Sequence, residues 1–193
     1  MNFEAMMVST GVVTLAEMGD KTQLLAFLLA ARFKKPIPII TGIFIATILN
    51  HGLAGLLGTW ITTLLSPELL RWILGISFLG MAVWTLIPDK IDEDEQPKVA
   101  ESGVFIATLV AFFLAEIGDK TQIATVALAA SYSAPITVVM GTTLGMMLAD
   151  VPAVFLGNKF AQKLPLKLIH TIAAGIFAIL GILILIKFDS LIK

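Results

Sequence analysis

The chain has 193 residues, of which 58% are hydrophobic and 14% charged, with a mean hydropathy of +0.95; a water-soluble domain carries about 25% charged residues, so water is not its main solvent. A formal net charge of −1 excludes the basic footprint of a nucleic-acid binder. The lack of cysteine excludes disulfides and thiolate metal sites and leaves the redox compartment unread.

A helix crosses the hydrocarbon core in roughly 20 apolar residues, and six stretches qualify. The first runs from Ala5 to Ala31. Met1-Asn2-Phe3-Glu4 ahead of it lacks the basic n-region of a signal peptide, so this stretch reads as a retained span. The second runs from Ile37 to Leu57 and the third from Leu69 to Ile87. A polar, acidic run over 89–101 reads as a solvated linker, with a metal-sensing or gating segment as the alternative. The fourth stretch runs from Gly103 to Ala130, the fifth from Ile136 to Leu156 and the sixth from Leu166 to Ile186. The expected class is an all-α polytopic membrane protein with six transmembrane helices.

One heptapeptide occurs twice in these stretches. Glu17-Met18-Gly19-Asp20-Lys21-Thr22-Gln23 returns as Glu116-Ile117-Gly118-Asp119-Lys120-Thr121-Gln122, at an offset of 99 residues. The same offset continues without a gap. It superposes Leu29-Ala30-Ala31 on Leu128-Ala129-Ala130, Pro36-Ile37 on Pro135-Ile136, Gly42 on Gly141 and Leu57-Gly58 on Leu156-Gly157. The chain therefore divides into repeat 1 (residues 1–88), the linker (89–101) and repeat 2 (102–193). Three spans per repeat is an odd number, so the second copy must enter the membrane inverted. Inverted repeats are a plan of secondary transporters, with the site at the repeat interface near the midplane.

Basic residues orient the spans. Arg32, Lys34, Lys35, Lys90, Lys98, Lys159, Lys163 and Lys167 fall in the loops on one side, against Arg71, Lys187 and Lys193 on the other. The richer side reads as cytoplasmic, which puts both termini outside. Trp60 and Trp72 then lie near the outer interface and Trp84 near the inner one.

Ionisable groups within spans are expensive and usually functional. On a continuous helix Glu17 and Asp20 share a face. Thr10, Thr14 and Gln23 extend it, and Lys21 stands four residues after Glu17 as a partner. Glu116, Asp119, Lys120 and Gln122 repeat the pattern, with Phe113 replacing Thr14. Gly19 and Gly118 mark points where the helix can bend or break. Brought together, four carboxylates and two lysines leave two negative charges, which one divalent cation neutralises. Carboxylate, amide and hydroxyl oxygens suit Ca²⁺, Mg²⁺ and Mn²⁺. Met18 reads as packing. Four carboxylates this close cannot all stay ionised without a cation, so protons and metal compete for the same oxygens. That competition is sufficient for metal/proton antiport. A local Glu–Lys bridge alone would not account for the repeated Asp and Gln.

The two heptapeptides resemble the signature of the GDT family, whose members carry two Glu-x-Gly-Asp-(Lys/Arg)-(Ser/Thr) motifs. The resemblance covers nearly the whole chain, and Gln23 and Gln122 after the motif, with the short ends, are similar to the bacterial branch. It implies cation/proton exchange in the inner membrane, with Mn²⁺ or Ca²⁺ as the transported ion and no cofactor. The implied metal-binding acids are Glu17, Asp20, Glu116 and Asp119, with Gln23 and Gln122 joining them and Lys21, Thr22, Lys120 and Thr121 in support.

Outside the motif, Asn50 and His51 in the second stretch fall opposite Ala149 and Asp150 in the fifth. Asp150, His51 and Asn50 are pathway candidates, and a His51–Asp150 relay is conceivable. His170 and its counterpart Arg71 read as interfacial, and Pro152 as a kink. The expected function is Mn²⁺ export in exchange for protons. The alternatives are a Ca²⁺/H⁺ antiporter and, from another class, a non-transporting subunit of a membrane complex. An intramembrane metalloenzyme would want His ligands, which neither heptapeptide supplies. The partners are a divalent ion, protons and the bilayer; the oligomeric state is not encoded legibly.

Overall fold

The computed structural model describes residues 2–87, 103–156 and 165–191, the side chains of 156 and 187–191 excepted. The acidic linker (89–101) and the loop lysines Lys90, Lys98, Lys159 and Lys163 lie outside the described residues. Eight helices are described: α1 (Phe3–Glu17), α2 (Lys21–Phe33), α3 (Pro36–Leu64), α4 (Pro67–Trp84), α5 (Gly103–Glu116), α6 (Lys120–Tyr132), α7 (Pro135–Leu156) and α8 (Leu166–Leu191).

Local chemistry sets their ends. Asn2 Oδ1 accepts from Ala5 N at 3.1 Å and starts α1, satisfying an N–H that the first turn cannot bond internally. Proline opens α3, α4 and α7, where its missing N–H does no harm. α2 and α6 end alike: Lys34 (φ 54°) and its counterpart Ser133 (φ 48°) both turn left-handed, the usual way to close a helix.

Two of the expected spans are not continuous. The first and fourth stretches each break inside the heptapeptide, giving α1/α2 and α5/α6. The reason is local. Gly19 (φ 84°) and Gly118 (φ 75°) adopt backbone angles that end a right-handed helix, and Asp20 and Asp119 then stand as N-caps of the next helix. Four helices are long and apolar enough to cross a membrane unbroken: Pro36–Leu64, Pro67–Trp84, Pro135–Phe155 and Leu166–Ile186. The second expected span is also longer than read, because α3 continues to Leu64. Pro152 is accommodated inside α7, which runs on to Leu156.

Small residues carry the packing. α1 runs parallel to α7, with Thr10 and Thr14 hydroxyls reaching Gly141 O (3.1 Å) and Gly145 O (3.3 Å). α3 runs parallel to α5, its Gly42 against Phe105 and Thr108 and its Asn50 Nδ2 donating to Phe113 O at 3.1 Å. α3 and α7 are equivalent by the offset of 99 yet lie antiparallel. Gly55 meets the start of α7 at Pro135 and Val139, while Ile39 and Ile43 share a buried cluster with Ala153 and Val154 at its far end. α4 and α8 pair antiparallel, Gly75 against Gly181 and Phe78 against Phe177. Large apolar side chains such as Phe44, Leu53, Leu56, Leu148 and Ile179 stay exposed on the outer faces, as hydrocarbon-facing surface does. The molecule is an all-helical membrane protein, and its buried polar residues gather at the two breaks.

Candidate cation site at the helix breaks

Each break is held open by its own heptapeptide. Gln23 Oε1 accepts from Gly19 N at 2.9 Å, and Gln122 Oε1 accepts from Gly118 N at 2.7 Å. These N–H groups lose their helical partner at the break, and a buried backbone donor must find another. The amide oxygens expected among the metal's ligands are thus turned to the backbone. Gln23 Nε2 also donates to Ala149 O at 2.9 Å, tying α2 to α7.

The glutamates close the ends of α1 and α5. Glu17 and Glu116 are fully buried. Thr22 Oγ1 donates to Glu17 Oε2 at 2.7 Å and Thr121 Oγ1 to Glu116 Oε2 at 3.1 Å, so each hydroxyl fixes one carboxylate oxygen. The other oxygen, Oε1 in both, has no hydrogen-bond partner among the described residues. Leaving a buried carboxylate oxygen unmatched costs several kcal/mol in order of magnitude, and a cation is what such an oxygen lacks.

The aspartates and lysines cross between repeats. Lys120 pairs with Asp20, and Lys21 Nζ lies 3.6 Å from Asp119 Oδ1. The expected Lys21–Glu17 pairing on one helix face does not form, because the Gly19 break re-aims everything after it. The same crossing brings oxygens of Glu17, Asp20 and Asp119 within 4.8 Å of one another. Glu116 is buried beside this group, near enough to interact electrostatically with Glu17, Asp20 and Asp119. Acids from both repeats therefore converge on one volume.

The remaining candidates divide. Asp150 is fully buried, within electrostatic reach of both glutamates, and both its oxygens lack hydrogen-bond partners among the described residues. It is the strongest addition to the four motif acids. His51 is also fully buried with both ring nitrogens unbonded, so the relay to Asp150 is not made as a direct hydrogen bond. Asn50 is engaged with α5. Thr10 and Thr14 serve the α1–α7 contact rather than the acidic cluster. His170 is not merely interfacial: its Nε2 lies 2.7 Å from Met18 O, and because a carbonyl only accepts, the Nε2–H donates. Nothing in the residue spacing pointed to this contact, since it spans two repeats and a break.

Comparison with known proteins follows the same lines. The family profile described as "Divalent cation/proton antiporter GDT1" matches residues 5–93 and 104–190, in two parts. A Vibrio cholerae protein named "Putative manganese exporter" is 53% identical over 176 residues, covering 91% of this chain and 87% of that one. "GDT1-like protein sll0615" of Synechocystis is 29% identical over 190 residues, covering 89% and 91%, and "GDT1-like protein 5" of Arabidopsis thaliana is 26% identical over 211 residues, covering 90% and 92%. No solved structure matches the chain at a significant level.

Proposed function

The chain belongs to the GDT1 family of divalent cation/proton antiporters, and from that premise we propose that it exports Mn²⁺ in exchange for protons through one site shared by the two repeats. It is a transporter and not an enzyme. The observation that carries the shared site is the convergence of Glu17, Asp20 and Asp119 oxygens within 4.8 Å, with Glu116 buried beside them.

In this reading Glu17, Asp20, Glu116 and Asp119 hold the ion and Asp150 adds a fifth carboxylate to the field. Thr22 and Thr121 orient the glutamates, and Gln23 and Gln122 hold the breaks at the right angle. Lys21 and Lys120 sit against the aspartates and lower the charge of the empty site. Either a dication or protons then complete the neutralisation, which couples the two fluxes. The donors are hard oxygens, and Mn²⁺ suits them; the Vibrio cholerae relative's name supports that ion over Ca²⁺.

Six crossings in two inverted repeats account for the family's two-part match and for the antiparallel course of the equivalent helices α3 and α7. The broken pairs α1/α2 and α5/α6 each count as one crossing, as in transporters whose discontinuous helices line the site. The basic loops favour an inner-membrane orientation with the linker cytoplasmic and both termini outside.

The test is flux in proteoliposomes under an imposed pH gradient, comparing Mn²⁺, Ca²⁺ and Mg²⁺. Mn²⁺ should move fastest, and Glu17→Gln and Glu116→Gln should each abolish flux, since either removes charge from the one site. Normal transport by either variant would end the shared-site reading; faster Ca²⁺ would reassign the ion.

A further inference from the structure

The two breaks are equivalent by sequence but not by surroundings. At Gly19 the first turns of α8 lie directly on the break. His170 Nε2 donates to Met18 O at 2.7 Å. Leu166 fills the space where a Cβ on Gly19 would stand, its Cδ2 within 2.7 Å of that position. At Gly118 nothing lies within 4 Å of the corresponding point, and Ile117 and Gly118 are exposed. The ion pairs follow suit: Asp20 and Lys120 are 0% and 1% exposed, against 4% and 22% for Asp119 and Lys21.

The offset of 99 names the residues that would cover the second break. Leu166 and His170 correspond to Pro67 and Arg71 at the start of α4. In this structure Arg71 does not perform the equivalent task. Its guanidinium lies 5.6 Å over the Trp72 ring, and its buried Nε has no hydrogen-bond partner among the described residues. Helix contacts are skewed in the same sense. α8 packs on α1, but α4 packs on α6, where a symmetric arrangement would set it on α5.

We propose that α4 and α8 move as one packed pair that seals the two breaks alternately, with His170 latching the Gly19 break and Arg71 latching the Gly118 break in the opposite state. The sequence duplication makes the two sealed arrangements near-equivalent packings of the same parts. Packed helices switch between such arrangements discretely rather than deforming smoothly, and inverted repeats supply the pair of states by exchanging roles. The present structure is the state closed at Gly19. The inference rests on the transport reading and its orientation, in which α8 starts at the cytoplasmic face, so this state is shut towards the cytoplasm and open outside. His170 and Arg71 are positioning residues: they meet the backbone of the broken helices, not the ion.

The native chain has no cysteine, so paired substitutions introduce the only thiols. Full-length Met18→Cys/His170→Cys and Arg71→Cys/Ile117→Cys proteins are reconstituted in vesicles and treated with a short bifunctional methanethiosulfonate. Both pairs should bridge, each bridge should stop Mn²⁺ flux until reductant is added, and reversing the pH gradient should shift the two yields in opposite directions. A second measurement needs no bridge. Unlatching with His170→Ala should lower the reactivity of an Ile117→Cys thiol towards an impermeant maleimide several-fold, and His170→Gln, which keeps an N–H donor, should restore it. Full flux with positions 18 and 170 bridged, an Arg71→Cys/Ile117→Cys pair that never bridges during transport, or unchanged maleimide reactivity overturns the latch. A wild-type protein that moves no divalent ion sinks the transport reading instead.

Discussion

Thr22 and Thr121 decide which oxygen of each glutamate faces the site. Each hydroxyl occupies Oε2 and leaves Oε1 for the ion. A hydrogen bond to a charged group contributes about 1.5–3 kcal/mol. Thr22→Val should therefore weaken Mn²⁺ binding about tenfold or more, and Thr22→Ser should recover most of it; equilibrium titration of the purified protein reads both. The lysines are unequal despite their symmetry. Lys120 is buried with Asp20, and removing one partner of a buried pair costs about 3–5 kcal/mol. Lys21 is partly exposed, and a pair open to water contributes about 1 kcal/mol or less. Lys120→Ala should lower the melting temperature far more than Lys21→Ala. Adding Asp20→Asn to Lys120→Ala should recover stability but not flux.

The heptapeptide is a helix break before it is a ligand set. Gly19 and Gly118 both need positive φ, and a Cβ there costs about 1–2 kcal/mol. Only Gly19 also meets a neighbour, Leu166. Gly19→Ala should thus be the more damaging of the two in thermal unfolding. A parallel contrast tests the helix contacts. A Cβ on Gly145 would lie 2.7 Å from Thr10 O, backbone that cannot yield without parting α1 from α7, whereas Gly52 has open space. Gly145→Ala should lose both stability and flux, and Gly52→Ala should lose neither. Melting curves and vesicle flux on the same preparations separate the two outcomes.

At the scale of the whole molecule, one site in two inverted repeats makes proton and metal binding exclusive. Metal binding to deprotonated oxygens releases protons. Mn²⁺ affinity should therefore fall as pH falls and recover as it rises, and each Mn²⁺ leaving a vesicle should be matched by proton entry, read with a trapped pH dye. Affinity independent of pH would contradict competition at a common site. The two breaks expose that site unequally in the present structure, so the same dye should report transport only when the α4–α8 pair is free to move.

Length, apolar runs and the offset of 99 were enough to establish a duplicated helical membrane protein with Glu17, Asp20, Glu116 and Asp119 as its chemical centre, because hydrocarbon makes buried acids conspicuous and duplication repeats them in register. Gly19 and Gly118 even marked where a helix could part. The pairings were another matter. A helix ruler put Lys21 on Glu17, but once the chain turns at Gly19 that spacing no longer measures distance, and Lys21 reaches Asp119 in the other repeat. Gln23 and Gln122 read as oxygen donors to metal until the breaks created backbone N–H groups that needed those oxygens. The contact of His170 with Met18, and its absence at Arg71, belongs wholly to the tertiary arrangement. Two equivalent sequences cannot say which of their two packings is occupied; only the placement of α4 and α8 in space makes that choice.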